Sequence, residues 1–312
     1  MAEPMAVLAL ILDAAIGWPD ALYRRVGHPV GGFARLIARC DRRWNRPDKS
    51  DATRRMLGVM TVLLLLGMAG GGAWGLALIA EQCFGRWHWV ATAILAFPAL
   101  AQRSLYDHVR PVGQALAAGD LPAARRAVAM IVGRDTRDLD EAGVSRAAIE
   151  SLSESFCDGV VAPLFWLMLL GLPGIWAYKA LNTADSLIGH KEAPYTHFGW
   201  AAARADDIAN FIPARLAGLL IAIAGGRGLA TMRRDGRKHA SPNAGWPEAA
   251  MAGALGVRLA GPVAYDGVVL DKAWIGGEGR DAETRDLARA LIIYKNACFL
   301  LWIGAGSIAW AL

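Results

Sequence analysis

Residues 147–178 read AAIESLSESFCDGVVAPLFWLMLLGLPGIWAY, and this stretch decides the class of the fold. Its first half carries Glu150, Glu154 and Asp158 at intervals of four residues, and the run from 159 to 178 contains no charged residue. A run of about 20 such residues is long enough for a helix to cross a bilayer. Because residues four apart share a face of a helix, we predict that the three carboxylates form one stripe at the edge of a membrane-embedded segment.

The whole chain has the composition of a membrane protein. Of its 312 residues, 55% are hydrophobic and 20% are charged, whereas soluble domains average about 25% charged residues. We predict an all-α, polytopic integral membrane protein with about four to six membrane-embedded helices, folded as a single domain over residues 1–312. Besides the opening stretch, the apolar segments are residues 4–18, 56–80, 87–101, 208–226 and 290–312.

Basic residues indicate which side of the membrane the connecting regions face. Residues 20–55 contain ten Lys and Arg against four Asp, and such an excess is typical of cytoplasmic loops. Counting spans from there predicts that residues 102–158 and 227–289 are cytoplasmic loop regions as well. The protein is therefore expected to cross the inner membrane of the cell several times, with its active site on the cytoplasmic side.

The side on which residues 179–207 lie stays open at this level. Two full crossings by the central apolar segments would place them outside the cell. Pro163, Gly171, Pro173 and Gly174 also permit a broken or re-entrant segment, provided that protein shields its backbone. We favour the re-entrant alternative because the Asn, Asp and Ser side chains of 179–207 would otherwise have no role.

Several classes of protein find no support in the sequence. The net charge is +5, but the basic residues lie beside apolar segments, so nucleic acid is not an expected partner. The four cysteines are far apart and form no metal or redox motif. The chain has no P-loop, GxGxxG, HExxH or serine nucleophile elbow. A nucleotide would therefore bind at a site of another type.

The acidic stripe is a candidate metal site. Like charges four residues apart repel each other, and a stripe that runs into an apolar segment is poorly solvated, so a cation is expected to offset it. Mg²⁺ prefers carboxylate oxygens and often keeps substrate phosphates among its ligands. Upstream, Arg134 and Asp135 lie in a mixed-charge loop, and the planar guanidinium of Arg134 suits a phosphate. A solvated helix face and an ordinary surface loop are the alternatives.

Polar side chains also flank other apolar segments, where ionisable groups are candidates for function. Ordinary roles are the alternatives: a lysine that reaches the interface, acids that favour a helix N-terminus, and a turn before a helix of small residues. The candidates are Lys179, Asn182, Thr183, Asp185, Ser186, Asp206, Asp207 and Asn243.

Several motifs, taken together and in this order, resemble those of the CobD/CbiB family, the integral membrane adenosylcobinamide-phosphate synthases of cobalamin biosynthesis. They cover most of the chain and read DAAIGWPDALYRRVGHPVGGF, GRDTRDLD, AAIESLSESFCDGVVAPLFW, YKALNTADSLIG, FGWAAARADDIANFIPARL and SPNAGWPEAAMAGALGVRLAGP. One position departs from the family pattern, because Ser155 stands after the second Glu of the stripe where the family usually has Asn.

The resemblance implies a reaction in which aminopropanol, or its O-phosphate, is joined to a carboxylate of adenosylcobyric acid. The product is adenosylcobinamide or its phosphate. Forming an amide from a carboxylate in water is uphill, so ATP is implied as co-substrate and Mg²⁺ as cofactor, with a carboxyl phosphate as the intermediate. The lipid bilayer and other membrane proteins of the cobalamin pathway are the implied partners.

The resemblance also implies roles for the candidate residues. The expected catalytic residues are Glu150, Glu154, Asp158, Asp185 and Asp207, of which the first three are expected to hold Mg²⁺. The expected nucleotide- and substrate-binding residues are Arg134, Asp135, Lys179, Asn182, Thr183, Ser186, Asp206 and Asn243. A corrin is large and partly apolar, so a cleft near Phe165, Trp166 or Trp176 is expected to receive it.

Two other functions stay open. A membrane transferase that acts with Mg²⁺ on a lipid substrate would fit the acidic patches at membrane edges, although regular DxxxD signatures are absent. A transporter, or a scaffold for the enzymes of the pathway, would use Arg215 and Lys295 within apolar segments. Against this alternative, the polar candidates cluster in loops and at helix edges rather than along one channel.

Overall fold

The computed structural model describes residues 4–265 and 268–311 of the chain. Most of these residues are helical, which confirms the predicted fold class. The helices are α1 (Met5–Ile16), α2 (Asp20–Val26), α3 (Pro29–Trp44), α4 (Asp51–Phe84), α5 (His88–Ala96), α6 (Gln102–Ala117), α7 (Leu121–Ala129), α8 (Glu141–Phe156), α9 (Ala162–Ile188), α10 (Tyr195–Phe198), α11 (Trp200–Ala209), α12 (Phe211–Ala224), α13 (Leu229–Asp235), α14 (Gly245–Leu255) and α15 (Thr284–Ala311).

The helices are joined by shorter elements. Two 3₁₀ turns (Gly85–Trp87 and Phe97–Ala99) flank α5, and a π-helical turn (Cys157–Val161) joins α8 to α9. Four short strands lie between α14 and α15 in the described residues. They are β1 (Leu259–Ala260), β2 (Val263–Tyr265), β3 (Val268–Leu270) and β4 (Trp274–Ile275), in which β1 pairs with β4 and β2 with β3, both antiparallel.

Several helices have the length and composition of membrane spans. Three helical stretches qualify, Asp51–Ala117, Glu141–Ile188 and Thr284–Ala311, or up to five if two further helix pairs, each interrupted by a short break, count as one span each. Within the described residues, each predicted apolar segment lies largely on helices, and the polytopic membrane character is confirmed. The side of the membrane that each loop region faces stays a prediction.

The chain divides into two compact units. The first comprises Met1–Ala101, Ala162–Asn210 and Gly306–Leu312, and the second comprises Gln102–Val161 and Phe211–Ala305. The single domain expected from the sequence stays a prediction, and each unit is described by itself below.

The first unit is built on the packing of α4 against α9. Small residues allow close approach: a Cβ on Gly58 of α4 would lie 1.9 Å from the carbonyl oxygen of Phe198, so only glycine fits there. Helix α9 is broken at Gly171, whose φ of 66° and ψ of −154° are not helical, two residues before Pro173. Glycine tolerates this backbone because it has no Cβ. The break occurs where the sequence permitted an interrupted segment.

The second unit packs α8 against α6 and α14, and α12 against α14. Phe156 at the end of α8 is almost fully buried and meets the ring of Tyr294 edge-on, at 5.6 Å between centroids. These contacts bury the apolar face of α8 and leave its acidic residues toward the strands.

Buried carboxylates hold the strand-bearing segment in place. Asp235 accepts a hydrogen bond from the backbone N–H of Gly276 at 2.8 Å, and Asp286 receives two from the guanidinium of Arg280 at 2.6 and 2.8 Å. Burial alone would raise the pKa of Asp235, but Arg234, Lys238 and the Gly276 N–H outweigh it and lower the pKa to about 2. The segment between α14 and α15 is therefore anchored by paired charges in addition to its buried apolar side chains, such as Leu259 and Ile275.

Candidate functional site

A polar cavity of about 320 Å³ lies within the second unit. It is lined by side chains from α8, from the loop before it, from the N-terminal end of α14 and from the strand-bearing segment. We call it the carboxylate cavity and define it by Arg134, Glu150, Glu154, His239, Glu248 and Lys272. The cavity thus combines three carboxylates with three basic side chains.

Helix α8 carries two of these carboxylates, one turn apart. Asp140 caps the helix, because its side chain accepts a hydrogen bond from the backbone N–H of Gly143 at 2.7 Å. With the start of the helix fixed, Glu150 and Glu154 fall on one face, as the four-residue spacing predicted.

Glu150 is held at both of its oxygens. Its Oε2 pairs with the guanidinium of Arg134, and its Oε1 accepts a hydrogen bond from the backbone N–H of Ala260 at 2.7 Å. The Nε of Arg146 lies 3.9 Å from the same Oε1. Only 5% of Glu150 is exposed, and a buried carboxylate is stable as an ion when it is paired in this way. Glu150 therefore fixes the cavity wall.

Ala260 reaches Glu150 through an unusual backbone conformation. Its φ is 57°, the one positive φ of a non-glycine residue in the described chain. A residue other than glycine in this region typically costs about 1–3 kcal/mol, and such residues cluster at functional sites. The conformation aims the Ala260 N–H at the carboxylate, so the strain is tied to the cavity.

Glu154 and Glu248 face the cavity from different helices. Glu154 is exposed, whereas Glu248, in the first turn of α14, is only 3% exposed. Burial raises the pKa of Glu248 well above its usual range, and the charges of Glu150 and Glu154 raise it further, while Arg134 and Lys272 act in the opposite direction. The cavity therefore concentrates negative charge where a cation would be stabilised.

His239 lies beside Glu248. The backbone N–H of Ser241 donates to its Nδ1 at 3.0 Å, so the neutral ring carries its proton on Nε2. That nitrogen is 3.7 Å from Oε1 of Glu248, which is too long for a hydrogen bond. The two groups face each other across a gap that belongs to the cavity.

Asp158 is not among the residues that line the cavity. It lies in the π-helical turn Cys157–Val161 and is half-buried. A four-residue spacing repeats a helix face only while the helix stays α, so this wider turn ends the stripe at Glu154. Asp135, next to Arg134, is paired at 3.9 Å with the exposed Arg137. Its predicted contact with a nucleotide stays a prediction.

The residues of the cavity can be compared with the needs of Mg²⁺. Among the described residues, no group of three or more His, Cys, Asp or Glu is arranged to hold a metal ion by itself. Mg²⁺ in nucleotide sites usually takes one or two carboxylates and completes its shell with phosphates and water. Glu154 and the Ser155 hydroxyl, both at the cavity, fit this donor set.

A second polar cluster lies within the first unit. The hydroxyl of Tyr178 donates to Oδ1 of Asn210 at 2.9 Å, and Nδ2 of Asn210 donates to Oδ2 of Asp206 at 2.9 Å. Nδ2 of Asn182 donates to Oδ1 of Asp206 at 3.5 Å. We call these four residues the amide network. All are at most 9% exposed, so the network lies in the interior of the first unit.

The neighbours of the amide network are engaged locally. The hydroxyl of Thr183 donates to the carbonyl of Lys179 at 2.7 Å, and that of Ser186 donates to the carbonyl of Asn182 at 2.9 Å. Asp207 pairs with Arg204 at 3.4 Å. Lys179 and Asp185 are half-buried on α9. The predicted parts of these residues in catalysis and in binding stay predictions.

Asn243 has a clear local partner in the second unit. Its Oδ1 accepts a hydrogen bond from Nη1 of Arg215 at 2.9 Å. The guanidinium of Arg215 also lies over the rings of Phe211 and Trp246, at 3.7 and 4.6 Å from their centroids. These contacts explain how an arginine is accommodated within the apolar α12.

An apolar cavity of about 550 Å³ lies within the first unit, lined in part by Trp18, Phe33 and Trp176. Trp176 is the one residue of the expected corrin cleft that lines it. Phe165 and Trp166 instead meet each other edge-on, at 5.4 Å.

Sequence reasoning missed three members of the carboxylate cavity. Glu248 was visible only as the acid that opens a helix, and His239 and Lys272 lie in segments without a motif. Only an indirect signal in the sequence could have indicated Glu248. The stretch SPNAGWPE combines turn residues with an acid at the start of an apolar helix. The tertiary contact that brings Glu248 to the acidic stripe is not readable from the sequence.

Comparisons with known proteins identify the family to which the chain belongs. The profile of the family described as CobD/Cbib protein matches residues 6–294. The chain belongs to the CobD/CbiB family. It is 50% identical to the Cobalamin biosynthesis protein CobD of Rhodobacter capsulatus, with 98% of each chain covered. The protein of that name from Sinorhizobium sp is 48% identical, with 94% of each chain covered.

The Rhizobium meliloti protein of the same name is 46% identical, with 95% of this chain and 93% of the relative covered. No solved structure matches the chain. Membership of the CobD/CbiB family supports a role in cobalamin biosynthesis, which is the role that the names of the relatives state. It also confirms the resemblance drawn from the motifs.

Proposed function

We propose that this CobD/CbiB-family protein is an ATP-dependent ligase of cobalamin biosynthesis. It joins the amine of aminopropanol, or of its O-phosphate, to a carboxylate of adenosylcobyric acid. The observation that carries the proposal is the carboxylate cavity, where Glu154 and the buried Glu248 face Arg134 and Lys272. Charged groups of both signs around one small cavity, with a raised pKa for Glu248 among them, support chemistry on a phosphate or an amine.

The cytoplasmic location of this cavity is part of the proposal. Arg134, Glu150 and Glu154 come from residues 102–158, and Glu248 and Lys272 come from residues 227–289. Counting spans from the basic residues 20–55 predicts that both regions lie on the cytoplasmic side of the inner membrane. ATP is cytoplasmic, so the site needs no contribution from the ambiguous residues 179–207 to meet it.

Magnesium, when bound, would neutralise charge on the phosphates of ATP. Glu154 and Ser155 would hold it, since they offer oxygen ligands at the cavity. Glu150 would act indirectly, because its ion pair with Arg134 orients the guanidinium at the cavity wall. Arg134 and Lys272 would stabilise negative charge on the phosphoryl group during transfer.

The proposed reaction has two steps. First, a carboxylate oxygen of the corrinoid attacks the γ-phosphorus of ATP, the bond to ADP breaks, and a carboxyl phosphate forms. Second, the amine attacks the carboxyl carbon, the carbon–oxygen bond to phosphate breaks, and the nitrogen loses a proton. A site walled by charged side chains at a membrane edge would limit the access of water to the carboxyl phosphate.

The direct test uses the full chain purified in detergent with adenosylcobyric acid, ATP, Mg²⁺ and aminopropanol phosphate, and measures the amide product by mass spectrometry. The Glu154→Gln variant should lose on the order of 10²-fold in turnover, because it removes a charged ligand but keeps the shape of the side chain. Glu141→Gln is the matched control, since Glu141 is exposed in the first turn of the same helix.

Two results would contradict the proposal. One is ATP-independent turnover of a lipid substrate with no response to the corrinoid, which would favour a lipid transferase. The other is uptake of a corrinoid into proteoliposomes without amide formation, which would favour a transporter.

A further inference from the structure

The apolar cavity of the first unit has almost no polar side-chain atoms in its wall. Its lining comes from the segment between α1 and α3, from the middle of α4, from α5 with the turn that follows it, and from α9. Among the described side chains that line it, the nitrogen and oxygen atoms are the two indole nitrogens of Trp18 and Trp176. At about 550 Å³, the cavity is of the size that small molecules occupy. Such a wall holds water poorly, because a water molecule would find few hydrogen-bond partners there.

One part of the wall lies where lipid is expected. Met68 is at the centre of α4, which is long and apolar enough to span a membrane. Met68 and Leu76 are 57% and 46% exposed, and both line the cavity. Hydrocarbon surrounds a spanning helix at this depth. An acyl chain of the bilayer therefore has direct access to the cavity.

Another part of the wall lies next to a polar segment. Trp18 and Leu22 line the cavity there. They follow the apolar α1 directly, and the last turn of α2 carries the exposed Arg24 and Arg25. A tryptophan close to basic residues is typical of the membrane–water interface. The lining thus includes an interfacial segment and the centre of a spanning helix, the two regions that the ester group and the acyl chain of a glycerolipid occupy in a bilayer.

The two indole nitrogens of the cavity differ in their partners. Nε1 of Trp176 donates to the carbonyl of Leu95 at 3.0 Å. Nε1 of Trp18 is buried and has no hydrogen-bond partner in the described residues. The ring of His28 meets that of Trp18 edge-on, at 4.9 Å, but its Nδ1 already accepts from the backbone N–H of Val30 at 3.2 Å. Because a buried indole N–H usually has a partner and an unmet donor is costly, an acceptor is missing beside Trp18.

We propose that the apolar cavity binds one acyl chain of a glycerophospholipid, and that the ester carbonyl of this chain accepts a hydrogen bond from the Trp18 indole. The Trp18 side chain is only half-buried, so a small rotation of the ring brings its N–H to the cavity. A long apolar chain that ends in a hydrogen-bond acceptor matches this wall. A corrinoid matches it less well, because its many amide groups would face a wall with no further polar side chains. This lipid site does not depend on the ligase reaction proposed above.

The first test uses native mass spectrometry of the full chain, released from detergent after incubation with equal amounts of two phosphatidylethanolamines of the same chain length. One is a diacyl lipid, and the other is a dialkyl ether lipid that lacks the ester carbonyls. The wild type should retain one lipid and favour the diacyl form about fivefold, the factor expected for a single hydrogen bond.

Two tryptophan variants test the origin of this preference. Trp18→Phe keeps an aromatic ring and removes the N–H, so it should retain both lipids equally. Trp74→Phe is the matched control, because Trp74 is 60% exposed on α4 and is not among the residues that line the cavity. It should keep the wild-type preference for the diacyl lipid.

A second test fills the cavity. Gly72 lines it, and a Cβ at Gly72 would meet no heavy atom within 4 Å, so Gly72→Leu adds a side chain there without a clash. The adjacent Gly71 is equally open but does not line the cavity, which makes Gly71→Leu the matched control. Gly72→Leu should lower the retention of both lipids about tenfold or more, because the acyl chain loses its burial, and Gly71→Leu should leave retention unchanged. If Trp18→Phe does not fold, this pair and the preference of the wild type decide the question.

Three results would overturn the proposal. The wild type could retain the two lipids equally, or the two leucine variants could lower retention alike. Adenosylcobyric acid could also displace the bound lipid from the wild type and bind more weakly to Gly72→Leu, which would assign the cavity to the corrinoid. Formation of the amide product tests the ligase separately, so either proposal can fail while the other stands.

Discussion

The amide network and the carboxylate cavity each contain a buried acid, but the two acids have opposite surroundings. Asp206 is 8% exposed and accepts hydrogen bonds from two side-chain amides, Asn182 and Asn210. Glu248 is 3% exposed, and the charges of Glu150 and Glu154 add to the effect of burial in raising its pKa. An acid that accepts several hydrogen bonds contributes to the fold, whereas an acid that faces like charges in a cavity is a candidate for function.

A polar motif in an apolar sequence can therefore have either of two roles. It can stabilise the fold, or it can face a ligand. The sequence offers both Asp206 and Glu150 as candidate site residues, since both are acids beside apolar segments. The structure shows that each is fully engaged by protein groups, Asp206 by amides and Glu150 by Arg134 and the Ala260 N–H. Residues that shape a site and residues that face its ligand therefore have to be tested differently.

The largest effect on stability is expected for Glu150→Gln. The change leaves the guanidinium of Arg134, only 12% exposed, without its buried counter-ion. Removing one partner of a buried ion pair typically costs about 3–5 kcal/mol. The apparent melting temperature of the detergent-purified protein should fall clearly, and the exposed Glu141→Gln should leave it unchanged. An unchanged melting temperature for Glu150→Gln would mean that the ion pair does not hold the cavity wall.

The next effect separates the amide network from chemistry. Asp206→Asn removes the charge that two amides share, so it should lower stability by about 1–3 kcal/mol. Turnover per folded molecule should stay within about twofold of wild type, because the acid is satisfied by its own unit. Activity assays at a temperature where the variant is folded make the measurement. A loss of turnover on the order of 10²-fold without a loss of stability would instead support the binding role that the family resemblance implied for Asp206.

The Glu248→Gln variant tests the difference between the two buried acids through the pH dependence of its stability. The folded protein raises the pKa of Glu248 above its usual 4.5, so this group stabilises the fold fully below about pH 4.5, and that contribution is lost as the pH rises through the folded value. Gln has no proton to lose. The variant should therefore be more stable than wild type near pH 7, by about 1 kcal/mol, and the gap should close toward pH 4.5.

Melting curves of both proteins at about pH 4.5, 6 and 7 make this measurement. Glu154→Gln is the matched control, because its carboxylate lies in the same cavity but is exposed. If the stability difference between the variant and the wild type instead widens toward low pH, the fold stabilises the Glu248 carboxylate as an ion. That result would contradict the raised pKa of Glu248.

Most of the fold could be predicted from the length and spacing of the apolar segments in the sequence. The uncharged run from 159 to 178 predicted a membrane helix, which is α9, and its Gly and Pro residues permitted an interruption, which the structure has at Gly171. The strands β1 to β4 were not predicted, since each is two or three residues long and pairs through contacts that leave no local pattern.

The candidate site was readable only in part for the same reason. Glu150 and Glu154 share a face through local helix geometry, which the sequence states directly. Glu248 and Lys272 reach that face through tertiary packing of α14 and of the segment before α15, and the positive φ of Ala260 has no sequence signal at all. Asp158 is the opposite case, in which a regular spacing predicted a shared face that the structure does not have. A π-helical turn interrupts the helix there.

The smallest effect is expected for Ser186→Ala, and it tests the sequence reasoning most closely. The motif suggested that Ser186 orients a substrate, yet its hydroxyl donates to the carbonyl of Asn182 one turn earlier. Such bonds add little to a helix, so stability should change by less than about 0.5 kcal/mol, with turnover unchanged. Asn182→Ala is the neighbouring control and should destabilise more, because Asn182 donates to Asp206.

A fall in kcat of tenfold or more for Ser186→Ala at constant melting temperature would reverse this assignment. The hydroxyl would then turn from its own helix to a substrate during the reaction, and the region around the amide network would belong to the reacting site after all. An effect confined to Asn182→Ala would instead keep the amide network structural and leave the chemistry to the carboxylate cavity.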